Sequence, residues 1–170
     1  MSIKWIGAIL IITGCGGVGF SMAAAARQEE RLLTGLIRVL HFMEAELQYR
    51  LTPLPELCAM AAKESGICLA SVFRELAENL SRQNHPDAAQ CMLSALKSHD
   101  DLPVRLKKHL RQLGRSLGRF DLPGQIKGIQ TVRNTCESDL DHLRMNRDIR
   151  LRSYQTLSLC AGTALVIIFA

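Results

Sequence analysis

The chain has 170 residues, with 21 basic against 16 acidic side chains, a formal net charge of +5 and 5% aromatics. That length makes one small domain and is too short for two good cores. A mild basic excess without aromatic or base-reading clusters excludes a nucleic-acid footprint, and so few rings exclude a stacking platform.

The chain opens on an uncharged apolar segment of 22 residues, Trp5–Ala26, and closes on another of 18, Ser153–Ala170. About 20 apolar residues cross a bilayer as a helix, so the first segment is long enough and the second just long enough. Residues 1–26 are therefore expected to form an N-terminal transmembrane helix, 27–152 a cytoplasmic helical domain and 153–170 a C-terminal transmembrane helix. Gly16, Gly17, Gly19 and Ala23 offer small surfaces for close helix packing, without a strict G-x-x-x-G. Rival readings of the first segment stay open. Lys4 before an apolar run has the outline of a signal peptide. Ile12-Thr13-Gly14-Cys15 has the outline of a lipoprotein cleavage box, which would make this an extracytoplasmic helical protein of the envelope anchored through a lipidated Cys15. Against that, the run stays apolar as far as Ala26. Orientation follows from basic residues. Arg27, Arg31, Arg144, Arg147, Arg150 and Arg152 lie on the domain side and only Lys4 on the other, which places the domain in the cytoplasm.

The middle reads as helix throughout, with no strand alternation. Leu33, Leu36, Leu40, Met43 and Leu47 make one apolar stripe at spacings of three and four. Thr52 is the expected N-cap of the next helix, with Pro53 at its first position and Glu56 in its first turn. That helix carries Leu54, Leu57, Ala61 and Ala62 to Ser65-Gly66. A third, about Ile67 to Arg82, buries Leu69, Val72, Phe73, Leu76 and Leu80. After Asn84-His85-Pro86 a short helix, about Pro86 to Ser98, turns Ala89, Met92, Leu93 and Leu96 inward. An Asp cap before Pro103 starts the fifth helix, striped by Leu102, Leu106, Leu110, Leu113 and Leu117 and ended by Gly118. Asp121 caps the last helix, where Ile126, Ile129, Cys136, Leu140 and Leu143 lead without a breaker into the terminal segment. The expected fold is all-α: a small antiparallel bundle of five to six helices whose first and last run into the apolar ends.

Chemistry finds little purchase. Cys15, Cys58, Cys68, Cys91, Cys136 and Cys160 show no C-x-x-C pair, so free thiols in a reducing compartment are expected. The histidines at 41, 85, 99, 109 and 142 have no i, i+4 partner or carboxylate arrangement, and no close Cys or His pairs form a zinc set. Glu44 and Glu46 point to different helix faces. The N-terminal glycines lack the strand-to-helix context of a phosphate loop. The expectation is a non-enzyme without cofactor or metal. Arg105, Lys108, Arg111, Arg115 and Arg119 line one face of the fifth helix. They read either as a docking face for an acidic partner or anionic lipid heads, or as a solvated face paired with acids elsewhere in the bundle.

Two segments carry more than local structure requires. One is the corner Glu44, Ala45, Glu46, Tyr49, Thr52, Pro53, Leu54. The other is the turn Leu113, Gly114, Ser116, Leu117, Gly118, Asp121, Gln125. Together they resemble the stage III sporulation protein AB family of endospore-forming Firmicutes, which shows an E-A-E-x-x-Y-x-x-T-P-L corner and an L-G-x-S-L-G-x-x-D-x-x-x-Q turn. Length and apolar ends fit too, so the resemblance covers essentially the whole chain. It implies membership of the mother-cell channel complex built across the septal membranes. It also implies a domain similar to the cytoplasmic domain of the type II secretion F and type IV pilus platform proteins. The implied partners are the channel's membrane proteins, a cytoplasmic secretion-type ATPase of the stage III sporulation protein AA type and membrane lipid, with self-association left open. Both segments are then candidate contact residues for those partners.

Overall fold

The structure is a computed structural model that describes residues 27–83, 86–118 and 121–169, with side chains as far as Met145. Among the described residues there are six helices and no strand. They are α1 (27–49), α2 (Leu54–Glu64), α3 (Ile67–Ser81), α4 (Ala88–Lys97), α5 (Val104–Ser116) and α6 (Leu122–Phe169).

The apolar stripes account for the assembly. Leu33, Leu36, Leu40, Met43 and Leu47 of α1 are buried. So are Leu57 and Ala61 of α2, Leu69, Val72, Phe73 and Leu76 of α3, and Leu106, Leu110 and Leu113 of α5. Each full burial removes a side chain from water at a gain of about 1.5–3 kcal/mol, so the stripes rather than local propensity decide which faces meet. Leu93 departs from its expected inward placement and is 43% exposed, because Cys91, Met92, Ala95 and Leu96 already fill the face that α4 turns to α3 and α5.

Polar pairs fix α1 and α6 side by side and antiparallel. Arg144 Nε donates to Glu30 Oε1 at 3.1 Å, His41 faces Glu137 at 3.8 Å, and Arg133 Nη1 donates to Glu44 Oε2 at 2.8 Å. Gln130 Nε2 donates to the other oxygen of Glu44. The start of α1 and the far stretch of α6 therefore lie at the same end of the bundle. α2 to α5 pack in succession against each other, α3 meeting α1 at Gly35 and Leu69 and α5 packing on α6. At 48 residues α6 is about 72 Å long at 1.5 Å per residue.

Helix starts differ from expectation in two places. Thr52 does not cap α2; its hydroxyl donates to Glu46 Oε2 at 3.2 Å, and Pro53 holds the N-cap position with its carbonyl accepting from Leu57 N at 2.9 Å. No Asp caps α5, whose N-cap position is Pro103. Among the described residues no helix is long and apolar enough to cross a membrane. The N-terminal span and Cys15 lie outside the described residues, as do Arg119 and the side chains of the C-terminal span.

Candidate functional site

The two singled-out segments meet. A Cβ on Gly118 would lie 3.5 Å from Leu54 Cδ2 and 3.4 Å from Ala88 Cβ, so the end of α5 sits against the starts of α2 and α4. Gly118 has φ +76°, a left-handed conformation that only glycine adopts without strain, and it turns the chain towards α6. Asp121 then takes the N-cap position, with its carbonyl accepting from Gln125 N at 2.9 Å. The corner and the turn thus share one end of the bundle, opposite the end that holds the start of α1 and the Arg144–Glu30 pair.

Each segment is held differently. In the turn, small residues permit close approach. A Cβ on Gly114 would stand 2.6 Å from Met92 Cβ, and one on Gly128 would stand 2.5 Å from Ser116 Cβ. Gly128 is therefore the residue that lets α6 pass against Ser116 of α5, whose hydroxyl bonds back to Gln112 O at 3.2 Å. Leu113 and Leu117 are fully buried. In the corner, carboxylates do the holding. Glu44 is clamped by Arg133 and Gln130 of α6. Glu46 accepts from Thr52 and pairs with Arg50 at 3.6 Å. Between them Tyr49 is 80% exposed, and Leu51 is 65% exposed at φ +56°. A β-carbon in that region costs about 1–2 kcal/mol, so Leu51 is strained while leaving most of its side chain in water.

The basic face of α5 divides. Arg105 turns into the bundle, pairing with Glu29 at 3.3 Å and Asp139 at 3.9 Å. Lys108, Arg111 and Arg115 are exposed, and no ion pair among the described residues takes them up. Beside Arg105 lies a pair that the sequence concealed: fully buried His109 bonds Asp139 Oδ2 through Nε2 at 2.9 Å, across 30 residues of chain. The thiol on the same face of α6, Cys136, is pushed up to about 12 by burial, with Asp139 and Glu137 adding to the shift, and so stays protonated. The pair serves as a polar staple between α5 and α6. Burial likewise pushes Cys58 up to about 12. Cys58, Cys91 and Cys136 are buried thiols, and Cys68 is an exposed one. Among the described residues no group of three His, Cys, Asp or Glu could hold a metal ion.

A model of the family described as stage III sporulation protein AB matches residues 4–170. The stage III sporulation protein AB of Bacillus subtilis (strain 168) is 25% identical over 171 residues, covering 98% of each chain. A solved structure of stage III sporulation protein AB (SpoIIIAB) superposes with a TM-score of 0.61 at 24% identity, covering 69% of this chain and 94% of that one. That likeness establishes the fold of the helical domain.

Proposed function

The chain belongs to the stage III sporulation protein AB family, which gives it a role in sporulation, and from that premise we propose that it is a non-enzymatic membrane platform of the sporulation channel complex. In this reading residues 1–26 and 153–170 are membrane helices and the domain faces the cytoplasm. The end of the bundle farthest from them docks the complex's cytoplasmic ATPase, of the stage III sporulation protein AA type. The observation that carries the reading is polarity. α1 and α6 are antiparallel, so the start of α1 and the far stretch of α6, which the two apolar runs adjoin in sequence, share one end, while the corner and the turn meet at the other, around Leu54 and Gly118. That far end presents an exposed tyrosine and a strained, exposed leucine, residues of the kind that anchor interfaces.

The exposed part of the α5 stripe is the competing surface, and one experiment separates the two. The full chain, held in detergent, is used to capture the purified ATPase. Replacing Tyr49 by Ala and Leu51 by Gly together should weaken capture about tenfold, the effect of losing one or two anchors. Arg111→Glu with Arg115→Glu should leave it near wild type. Loss confined to the second variant moves docking to α5, and no loss in either removes ATPase docking from both surfaces.

A further inference from the structure

A groove of about 650 Å³ runs between the stem of α1 and the α2–α3 turn, lined by Arg27, Glu30, Arg31, Thr34, Gly35, Arg38 and Gly66. Its wall is strongly basic. Arg27, Arg31 and Arg38 are exposed, and no ion pair or hydrogen bond among the described residues involves them. This contrasts with Arg105, Arg133 and Arg144, which all find carboxylates in the bundle. The acid in the groove, Glu30, has one carboxylate oxygen bound by Arg144 at 3.1 Å. The floor is low: Gly35 and Gly66 contribute no side chains, and a Cβ on Gly66 would meet nothing within 4 Å. The groove therefore offers room and arginines that no acid among the described residues pairs, next to the point in the sequence where the uncharged run Trp5–Ala26 precedes Arg27.

We propose that this groove takes the headgroups of anionic phospholipids, seating the domain on the bilayer surface. The proposal rests on the membrane-anchored reading above. Distance ranks its arginines. The headgroup layer is about 7 Å deep on each side of the hydrocarbon core. Arg31 stands about 6 Å along the helix from Arg27 and lies within that layer; Arg38 stands about 17 Å along and lies beyond it by roughly one Debye length. Arg27 and Arg31 should therefore carry headgroup binding and Arg38 contribute little. An acidic protein segment lying along the groove would instead engage all three, since all three line it.

The test uses the full chain reconstituted in nanodiscs of phosphatidylcholine mixed with phosphatidylglycerol. Lipids retained on gentle delipidation are counted by native mass spectrometry. The wild type should keep phosphatidylglycerol in preference to phosphatidylcholine. Arg27→Glu with Arg31→Glu should lower that preference about tenfold, while Arg38→Glu and Arg111→Glu leave it nearly unchanged. All four positions are exposed, so circular dichroism and thermal unfolding should match the wild type. A folded chain that enters the disc without preferring the anionic lipid overturns the proposal alone. A chain that fails to enter the disc overturns the anchored reading and the proposal with it. Loss of equal size from Arg38→Glu and from the pair overturns the depth ranking, and with it the seating of the groove at the headgroup layer.

Discussion

The corner at residues 44–54 and the turn at 113–125 lie against each other but are built from different physics. The turn is steric: a Cβ on Gly114 would collide with Met92 and one on Gly128 with Ser116, and Gly118 holds a φ of +76° that a side chain would strain. The corner is electrostatic: Glu44 and Glu46 hold it from inside through Arg133, Gln130, Thr52 and Arg50, leaving Tyr49 and Leu51 outside. A steric joint tolerates no added volume and is indifferent to charge. An electrostatic joint tolerates isosteric change and fails when a charge is left alone. The difference shows which half supports the scaffold and which half is free to present a surface.

The largest effect should come from the steric half. Gly114→Ala would normally gain about 0.5–1 kcal/mol in a helix through propensity. Here the new Cβ arrives 2.6 Å from Met92 Cβ, an atom fixed to the α4 backbone. Overpacking costs about 1–3 kcal/mol, and a contact this short to an atom that cannot swing away lies at the upper end, so after the propensity gain urea unfolding should show a net loss of about 2 kcal/mol. Gly35→Ala is the internal control, since its Cβ would meet only Leu69 Cδ1 at an ordinary 3.6 Å. It should keep the propensity gain. Equal gains at both sites would show that α4 yields freely and that the turn is not a steric joint.

Next in size is the clamp. Glu44 and Arg133 are mostly buried, with side chains 15% and 20% exposed. Arg133 Nε makes no hydrogen bond and only faces Glu137 at 3.8 Å. Glu44→Ala leaves the guanidinium with Nη1 also stripped of its carboxylate, at a cost of about 1–2 kcal/mol. Glu44→Gln keeps the shape and loses the charge, and should cost less. A double-mutant cycle between Glu44 and Arg133 should return a coupling above the few tenths of a kcal/mol seen for exposed pairs. Coupling near zero would make the corner's carboxylates solvated bystanders.

How much of this the sequence discloses follows the same division. Stripes at spacings of three and four name the buried faces of α1, α3 and α5 almost residue by residue, because a helix's period is local. Gly118 and Asp121 are readable as stop and start for the same reason. Thr52 is misread as a cap because its competing partner, Glu46, sits in the preceding helix. Ser116 has no local rationale in its own helix; it lies against Gly128, on another. The basic stripe reads as uniform, yet Arg105 is drawn inward by Glu29 and Asp139, residues far away in the chain. His109 shows no carboxylate partner within its helix, and its partner lies 30 residues on. In every case the missing information is a contact between helices, which composition and period do not encode.

The smallest effect separates scaffold from surface most cleanly. Leu51 is held at φ +56° and is 65% exposed, so it contributes strain and little burial. Leu51→Gly removes the strained Cβ but leaves a more flexible unfolded chain, and the balance should favour the folded state by about 0.5–1 kcal/mol. At this chain length that is a rise in melting temperature of about 2–3 °C. Leu51→Ala keeps the strain and removes only the exposed methyls, so its stability should stay within about 0.5 kcal/mol of wild type. If Leu51 serves the surface, both variants should capture the ATPase more weakly, although one is more stable than the parent and the other unchanged. A Leu51→Gly chain that melts earlier would place Leu51 in the scaffold, with its side chain rather than its backbone deciding the energy. A chain that melts later and captures the ATPase undiminished would leave the strain without a surface role and shift the weight of docking to Tyr49.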